Sequence, residues 1–171
     1  MWAHNYRIHI HMHAALNEQT ANVVRFSLEG QVHWAKCVKT YDGDSIHIVI
    51  HFKGGFARFP CRLEGIDTAE LRSNNDAERA HAEKARDYLR SRVGGRIVLV
   101  HCGGWDKYGR LLVTVFVPND EGASVAATTA AGDVDLASSC TNINDELVRR
   151  KFAYAYEGYQ RKTFEEWFAP L

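Results

Sequence analysis

Residues 44–52 carry the most regular alternation of apolar and polar side chains in this chain. Every second residue is apolar, in the series Ile46, Ile48, Ile50 and Phe52. A period of two predicts a β-strand with one buried face. Lys53-Gly54-Gly55 predicts a turn, and residues 56–66 predict a returning strand. Pro60 within that strand cannot donate a backbone hydrogen bond, so it indicates an edge or a bulge.

Three further segments have the composition of strands. Residues 32–41 set Val32, Trp34 and Val38 against Lys36 and Lys39. The other two segments are the apolar runs at residues 96–102 and 110–117.

A helix is predicted between the third and fourth strands. Asn75-Asp76-Ala77-Glu78 resembles a capping box, and Gly94-Gly95 ends the segment. We expect Ala77, Ala85, Tyr88 and Leu89 on one face. Later in the chain, Asn144 is expected to cap a short helix that runs through Arg150. A final short helix is indicated by the spacing of Phe164, Trp167 and Phe168.

The order of these elements is three strands, a helix, two strands and then C-terminal helices. Five short strands with a helix between the third and fourth predict an α+β chain built on a five-stranded OB-type β-barrel. A chain of 171 residues is long enough for one domain with a sizeable core, which we expect at residues 21–171.

Two segments lack hydrophobic periodicity. Residues 1–20 are rich in histidine, which indicates a flexible N-terminal tail. Residues 118–142 are rich in Ala, Ser, Thr, Gly and Asp, which indicates a flexible insert within the single domain.

Charge and cysteine content restrict the setting. The chain has 21 Lys and Arg against 21 Asp and Glu, so any binding of nucleic acid should be local to one site. None of its four cysteines forms a C-x-x-C pair, and we interpret them as reduced thiols. No apolar run is long enough for a membrane span, and no signal peptide is evident. We therefore expect an intracellular protein with no membrane partner.

Acids and arginines cluster in three short segments. These are Asp42-Gly43-Asp44-Ser45, then Arg62-Leu63-Glu64-Gly65-Ile66-Asp67-Thr68-Ala69-Glu70, and then Asp106-Lys107-Tyr108-Gly109-Arg110. Clustered carboxylates can hold a metal and activate water, and arginines can hold a phosphate. The combination indicates attack on a phosphodiester.

The carboxylates need a particular geometry for this chemistry. Asp44 lies two residues before Ile46, so it is on the apolar face of the predicted strand, at the end of that strand. Asp67 lies five residues after Arg62, so a regular strand would point the two side chains in opposite directions. Gly65 could permit a bulge that brings both into one cleft. Two carboxylates, a backbone carbonyl and waters would suit Ca²⁺, which takes oxygen ligands.

The remaining candidates are one acid and two arginines. Glu70 could take a proton from a water beside the metal. Arg62 and Arg110 could hold phosphate oxygens through paired hydrogen bonds and stabilise the charge of the transition state. Plainer interpretations stay open: Asp-Gly-Asp is commonly a turn, with Asp42 as its former, and Glu70 alone could be a solvated loop acid.

Taken in order, the three segments resemble the staphylococcal (micrococcal) nuclease family over about residues 31–156. The resemblance implies an OB-fold, Ca²⁺-dependent endonuclease that cleaves DNA or RNA and leaves 3′-phosphate and 5′-hydroxyl ends. It implies a metal site at Asp44, Asp67 and the carbonyl of Thr68, and catalysis by Arg62, Glu70 and Arg110. It also implies substrate contacts from Lys107, Tyr108 and Tyr156, with Tyr154 nearby.

A rival hypothesis is a non-catalytic OB module that binds nucleic acid or a protein. A catalytically dead relative should have lost some of the clustered acids or arginines, and here they are all present. A small-molecule-binding barrel has no supporting motif. We expect a monomer that acts on DNA, RNA or both.

Overall fold

The computed structural model describes residues 13, 15–119, 139–158 and 161–168. The tail predicted at residues 1–20 and the insert predicted at residues 118–142 therefore lie largely outside the described residues. The strands are β1 (Val32–Thr40), β2 (Ser45–Phe52), β3 (Gly55–Leu63), β4 (Ile66–Asp67), β5 (Ile97–Trp105), β6 (Leu111–Pro118), β7 (Cys140–Asn142) and β8 (Tyr154–Ala155). The helices considered below are α1 (Asp76–Val93), α2 (Ile143–Arg149) and α3 (Phe164–Phe168).

Five of the strands form a closed barrel in the order β3-β2-β1-β5-β6. Neighbouring strands are antiparallel, and a parallel pairing of β3 with β6 closes the barrel. Helix α1 lies in the chain between the third and fourth barrel strands. The predicted five-stranded OB-fold of the α+β class is confirmed.

The inside of the barrel is filled by the alternating apolar residues of its strands. Ile46, Ile48 and Ile50 are fully or almost fully buried, as their period predicts. Three thiols, those of Cys37, Cys61 and Cys102, are also buried and free, so they pack as small apolar side chains.

Strand β1 exists as predicted but buries a different face. Ala35 and Cys37 point into the core, whereas Val32 and Val38 are about half exposed. The register shifts between Cys37 and Lys39, so a bulge changes the alternation within the strand.

The predicted third strand is divided in two. Strand β3 ends at Leu63, and Gly65 has φ +74°, a left-handed conformation that glycine adopts without strain. The chain then re-enters a short ladder in which Ile66 and Asp67 pair with β8. This turn, rather than a bulge within one strand, redirects Asp67.

Helix α1 begins and ends as its sequence predicts. The Asn75 side chain accepts hydrogen bonds from the backbone N–H groups of Ala77 and Glu78, and Gly94 follows the last turn. Ala85 and Leu89 are buried, but Ala77 is exposed, because the buried stripe runs through His81 instead.

The region after the barrel differs from the prediction at two points. Residues 140–142, within the predicted insert, form β7 and pair with β6. The cap of α2 is Asn142, whose side chain accepts from the Asp145 N–H at 3.3 Å, and not Asn144. Asn144 lies inside the first turn and is buried, because its side chain bonds to β6.

The predicted C-terminal helix is present as α3. Its Trp167 ring packs 4.9 Å from the His81 ring and 5.2 Å from the Tyr154 ring, measured between centroids. Within the described part of the chain, no helix has the length and apolar character needed to cross a membrane.

Candidate active site

The loop before β2 buries a carboxylate at the end of the barrel. Asp42 forms the turn, because its Oδ1 accepts a hydrogen bond from the Asp44 N–H at 3.2 Å. Gly43 packs so closely that an added Cβ would lie 2.9 Å from Cβ of Ala85 and 3.0 Å from the side chain of Thr68. Asp44 is only 3% exposed.

Arg62 joins the two candidate metal ligands. Its Nη1 lies 2.8 Å from Oδ2 of Asp44, and its Nη2 lies 2.5 Å from Oδ1 of Asp67. The turn at Gly65 therefore brings the side chains of residues 62 and 67 into contact, although their spacing along a regular strand would separate them. Asp67 is almost wholly buried, with 1% exposed.

Arg110 reaches the same cluster through a hydroxyl. Its Nε donates to Oδ2 of Asp106 at 2.7 Å, and its Nη1 donates to Oγ of Ser45 at 3.2 Å. Ser45 in turn donates to Oδ1 of Asp44 at 2.8 Å. Asp106 thus orients Arg110, while Asp44 contacts Arg62 directly and Arg110 through Ser45.

Glu70 lies on the loop that leaves β4, and its side chain is about half exposed. The loop is tied to α1, because the Glu70 N–H donates to Oε1 of Glu78 at 3.3 Å. Ser73 bonds to both residues: its N–H donates to the Glu70 carbonyl, and its hydroxyl donates to Glu78. These bonds place the Glu70 carboxylate at the edge of the cleft.

Arg161 is a site residue that the sequence did not indicate. Its Nε and Nη2 donate to the two oxygens of Asp67 at 2.5 and 3.0 Å, and its Nη1 donates to Oε1 of Glu70 at 2.6 Å. Tyr154 adds a hydroxyl bond to Oδ2 of Asp67 at 2.7 Å. Arg161 lies more than ninety residues after Asp67 and belongs to no motif, so only the fold brings them together.

These residues surround a cleft of about 1080 Å³. The candidate residues that line it are Asp44, Arg62, Thr68, Glu70, Lys107, Tyr108, Arg110 and Tyr156, together with Arg161. Asp67 is not among its lining residues, because Arg62, Arg161 and Tyr154 cover its carboxylate.

The expected substrate-contact residues lie at the rim of the cleft. Tyr108 is largely exposed, with Nζ of Lys107 5.1 Å and the guanidinium carbon of Arg110 5.5 Å from its ring centroid. Tyr156 donates its backbone N–H to the Gly65 carbonyl at 2.9 Å, which fixes it beside the turn. Tyr154 is buried and bonds to Asp67 instead.

The two buried carboxylates differ in their electrostatics. Burial raises the pKa of Asp44 to about 7; the negative charge of Asp42 adds to the rise, and Arg62 opposes it. Burial also acts to raise the pKa of Asp67, but hydrogen bonds from Arg161, Tyr154 and Arg62 outweigh it and lower that pKa. Asp67 is therefore the anion of the pair that the surrounding cations stabilise.

The donor types suit a hard cation, but both carboxylates are already occupied, Asp44 by Arg62 and Ser45 and Asp67 by Arg62, Arg161 and Tyr154. Asp44, Asp67 and the Thr68 carbonyl offer oxygen only, as Ca²⁺ prefers. Among the described residues no three His, Cys, Asp or Glu side chains are grouped to hold a metal. Both oxygens of Asp67 already accept from Arg161, so a metal bound there would have to displace this guanidinium.

A family model described as staphylococcal nuclease homologue matches residues 60–168 of this chain. The match includes Arg62, Asp67, Glu70 and Arg110, whereas Asp44 precedes it. No curated protein matches the chain.

Proposed function

Because the chain belongs to the staphylococcal nuclease homologue family, we propose that it is a metal-dependent endonuclease acting on DNA or RNA. One observation carries this proposal. A continuous series of hydrogen bonds and ion pairs runs Arg110–Ser45–Asp44–Arg62–Asp67–Arg161–Glu70 along one cleft. Acids and arginines in such proximity can activate water and stabilise the charge that develops during phosphodiester hydrolysis.

The two arginines hold the phosphate in this mechanism. Each guanidinium is anchored by carboxylates, Arg62 by Asp44 and Asp67 and Arg110 by Asp106. Anchoring fixes the planar donors before the substrate arrives, so they can meet charge as it develops on the phosphate oxygens. The arginines thereby stabilise the transition state more than the bound substrate.

Glu70 acts as the general base. Its carboxylate is half exposed at the cleft edge, where it can accept a proton from the attacking water. Arg161 has to leave Glu70 for this, because its Nη1 donates to the Oε1 that would accept the proton.

Asp44, Asp67 and the Thr68 carbonyl would hold Ca²⁺. When bound, this ion supplies Lewis-acid polarisation of a phosphoryl oxygen and lowers the pKa of a coordinated water. Lys107, Tyr108 and Tyr156 contact the nucleotide next to the cleaved bond, and the products carry 3′-phosphate and 5′-hydroxyl ends. Aromatic faces at the rim bind bases without reading their sequence.

The alternative function is a non-catalytic module that binds nucleic acid. The observation that favours it is the saturation of Asp67 by Arg62, Arg161 and Tyr154. A permanent guanidinium at this carboxylate would leave the arginine-lined cleft as a phosphate-binding surface without hydrolysis.

Incubation of the protein with single- and double-stranded DNA and RNA separates the two functions. We expect cleavage with Ca²⁺, loss of cleavage with a chelator, and 3′-phosphate ends on the products. Glu70→Gln removes the base at constant shape and should lower turnover by roughly two to four orders of magnitude. Glu83→Gln, on the exposed side of α1, is the matched control and should change nothing.

Three outcomes would contradict the proposal in different ways. Full activity in excess chelator would exclude the metal. Near wild-type turnover of Glu70→Gln would remove this residue from the mechanism. Binding of nucleic acid without cleavage under any divalent metal would establish the binding module instead.

A further inference from the structure

The outer face of the β1–β3 sheet carries positive charge that the cleft does not use. Cross-strand pairing sets Lys36 opposite Val49 and Val49 opposite Arg58, which puts all three on one face. In the next row toward the cleft, Lys39 lies opposite His47. The other face of β2 fills the barrel, so this face is turned toward solvent.

No carboxylate balances these cations on the sheet. Apart from Arg62, which belongs to the cleft, strands β1, β2 and β3 contain three Lys and Arg residues and no Asp or Glu, although acids and bases are equal in the whole chain. Within the described part of the chain, no ion pair joins Lys36, Lys39 or Arg58 to an acid. Three cations that no ion pair within the described residues neutralises thus lie on one face of the sheet, and such a face attracts polyanions.

This surface is continuous with the cleft. A smaller depression of about 220 Å³ is lined by Tyr41, Ser45, His47 and Arg110 and by one acid, Asp42; Tyr41 and Asp42 also line the main cleft. Nζ of Lys39 lies 5.5 Å from the Tyr41 ring centroid. The cationic surface therefore begins at one of the two proposed phosphate-binding arginines.

At the far end of the sheet the surface ends in an exposed aromatic ring. Phe56 is 82% exposed and its ring lies 5.7 Å from that of His51. Six residues separate Phe56 from Arg62 along β3, which corresponds to about 20 Å. That length spans several phosphates of a nucleic-acid strand.

Resting on the nuclease function proposed above, we propose that this face is a binding track for the single strand that flanks the cleaved bond. Lys36, Lys39 and Arg58 contact its phosphates, and Tyr41 and Phe56 stack on its bases. The occupant is single-stranded because exposed rings can stack only on bases whose faces are free. Backbone charge and stacking imply little sequence preference.

The test measures binding of a labelled 12-nucleotide single strand in chelator, across a range of salt concentrations. We compare the wild type with the double variant Lys39→Gln/Arg58→Gln and the matched double variant Lys84→Gln/Arg149→Gln, which removes the same charge from the helices. The first pair should lower affinity about tenfold at low salt and reduce the slope of log K against log salt by about 1.4. The helix pair should leave both nearly unchanged.

The stacking of bases and the location of the track are tested by the same kind of measurement, with one further variant. Phe56→Ala should weaken single-strand binding several-fold with an unchanged salt slope, because it removes no charge. In Ca²⁺, the track variants should lower kcat/KM for the 12-nucleotide strand but leave cleavage of a dinucleotide unchanged, since a dinucleotide reaches only the cleft.

Failure of the track is distinguishable from failure of the nuclease function. If the wild type cleaves but the track and helix variants bind alike, the track is wrong and the nuclease stands. Equal losses on dinucleotide and long strand would mean that the variants disturb the cleft, which also overturns the track. A larger effect on duplex than on single strand would overturn the assignment of the occupant. If the wild type binds but does not cleave, the binding results alone decide the track.

Discussion

At the scale of single residues, Arg161 makes the most consequential contact in the site. It bonds both oxygens of Asp67, a proposed Ca²⁺ ligand, and also pairs with Glu70. Arg161→Gln should remove one of the three hydrogen-bond partners of the Asp67 carboxylate, leaving Arg62 and Tyr154, and should raise Ca²⁺ affinity. The gain should be about tenfold at most, because half of the Arg161 side chain is exposed to solvent. Calorimetric titration with Ca²⁺ measures this without reference to catalysis.

Arg149→Gln is the control for that measurement, because it removes the same charge from the exposed surface of α2. A weaker Ca²⁺ affinity in Arg161→Gln would contradict competition. It would mean that Arg161 holds Asp67 and Glu70 in position for the metal.

Arg110 tests whether the guanidinium acts on the transition state. Arg110→Lys keeps the charge but loses the planar pair of donors, so turnover should fall by roughly a hundredfold while affinity for the substrate changes little. Single-turnover cleavage and equilibrium binding, measured side by side, separate the two effects. Arg149→Lys should be neutral, and an equally small effect of both substitutions would show that Arg110 is not the phosphate-binding residue.

Sequence and structure agree on these residues to different degrees. The motifs contain Asp44, Arg62 and Arg110, and the fold gathers them in one cleft. Arg161 and Tyr154 could not be assigned to Asp67, because their contacts cross about ninety residues and have no local signal. Charge compensation of a buried carboxylate is a property of the folded chain alone.

At the scale of elements, Asn142 has the capping role that the sequence predicts for Asn144. Asn144 Nδ2 donates to the carbonyls of Glu64 and Val113 at 2.9 and 3.1 Å, and its Oδ1 accepts from the Val115 N–H. Asn144→Ala removes three hydrogen bonds between α2 and backbone groups of the barrel region and should cost roughly 2–3 kcal/mol. Asn142→Ala removes only a helix cap and should cost about 1 kcal/mol.

Urea unfolding of the two variants measures the difference. A larger loss for Asn142→Ala would contradict the assignment of Asn144 as the link between α2 and the barrel. The sequence could predict the helix but not its cap, because Asn142 and Asn144 are both of the residue type favoured at caps. The buried bond from Asn144 to β6 appears only after folding.

Glu146 joins helices α1 and α2. Its carboxylate accepts from the Tyr88 hydroxyl at 2.7 Å, from Arg92 at 3.0 Å and from Arg150 at 3.1 Å. Burial acts to raise the pKa of Glu146, but these partners outweigh it and lower the pKa below the ordinary 4.5. Its stabilisation is therefore complete above about pH 4.5 and is lost as the pH falls through the lower pKa of the folded protein.

Glu146→Gln should remove this part of the pH dependence. The free energy of unfolding of the variant, relative to wild type, should be lower at pH 6 and converge with it toward pH 3. The control is Glu83→Gln, which should run parallel to wild type. If the free energies of unfolding of Glu146→Gln and wild type differed by the same amount at all pH values, the contribution of Glu146 would not depend on its charge.

At the scale of the whole molecule, the order of elements predicted the barrel but not its closure. Local periodicity indicates which residues form strands, and β1 to β3 pair with sequence neighbours. The parallel contact of Cys61–Leu63 with Leu111–Val113 is non-local and has no signal in either strand. For the same reason the equal numbers of acids and bases in the sequence do not reveal that the fold places three cations on one face of the sheet.

The predicted insert allows a further test, which concerns the segment that connects β6 to β7. Asn119 and Ser139 flank residues 120–138, and the Asn119 N–H donates to the Ser139 carbonyl at 3.1 Å. Thr141 also donates its hydroxyl to Oδ1 of Asn119 at 2.7 Å, so the two ends are joined by bonds outside the segment. Replacing residues 120–138 with a short Gly-Ser link should leave the melting temperature nearly unchanged, because halving a loop alters closure by only about 0.6 kcal/mol.

The replacement has to keep residues 139–142, since β7 pairs with β6. A second variant that also removes 140–142 is the matched comparison and should melt lower, because the ladder from Phe116 to Pro118 loses its partner. Thermal unfolding, with cleavage measured on the same samples, distinguishes the two. If the first variant lost as much stability as the second, residues 120–138 would be part of the packed domain. The domain would then depend on a segment whose composition has no periodic apolar face.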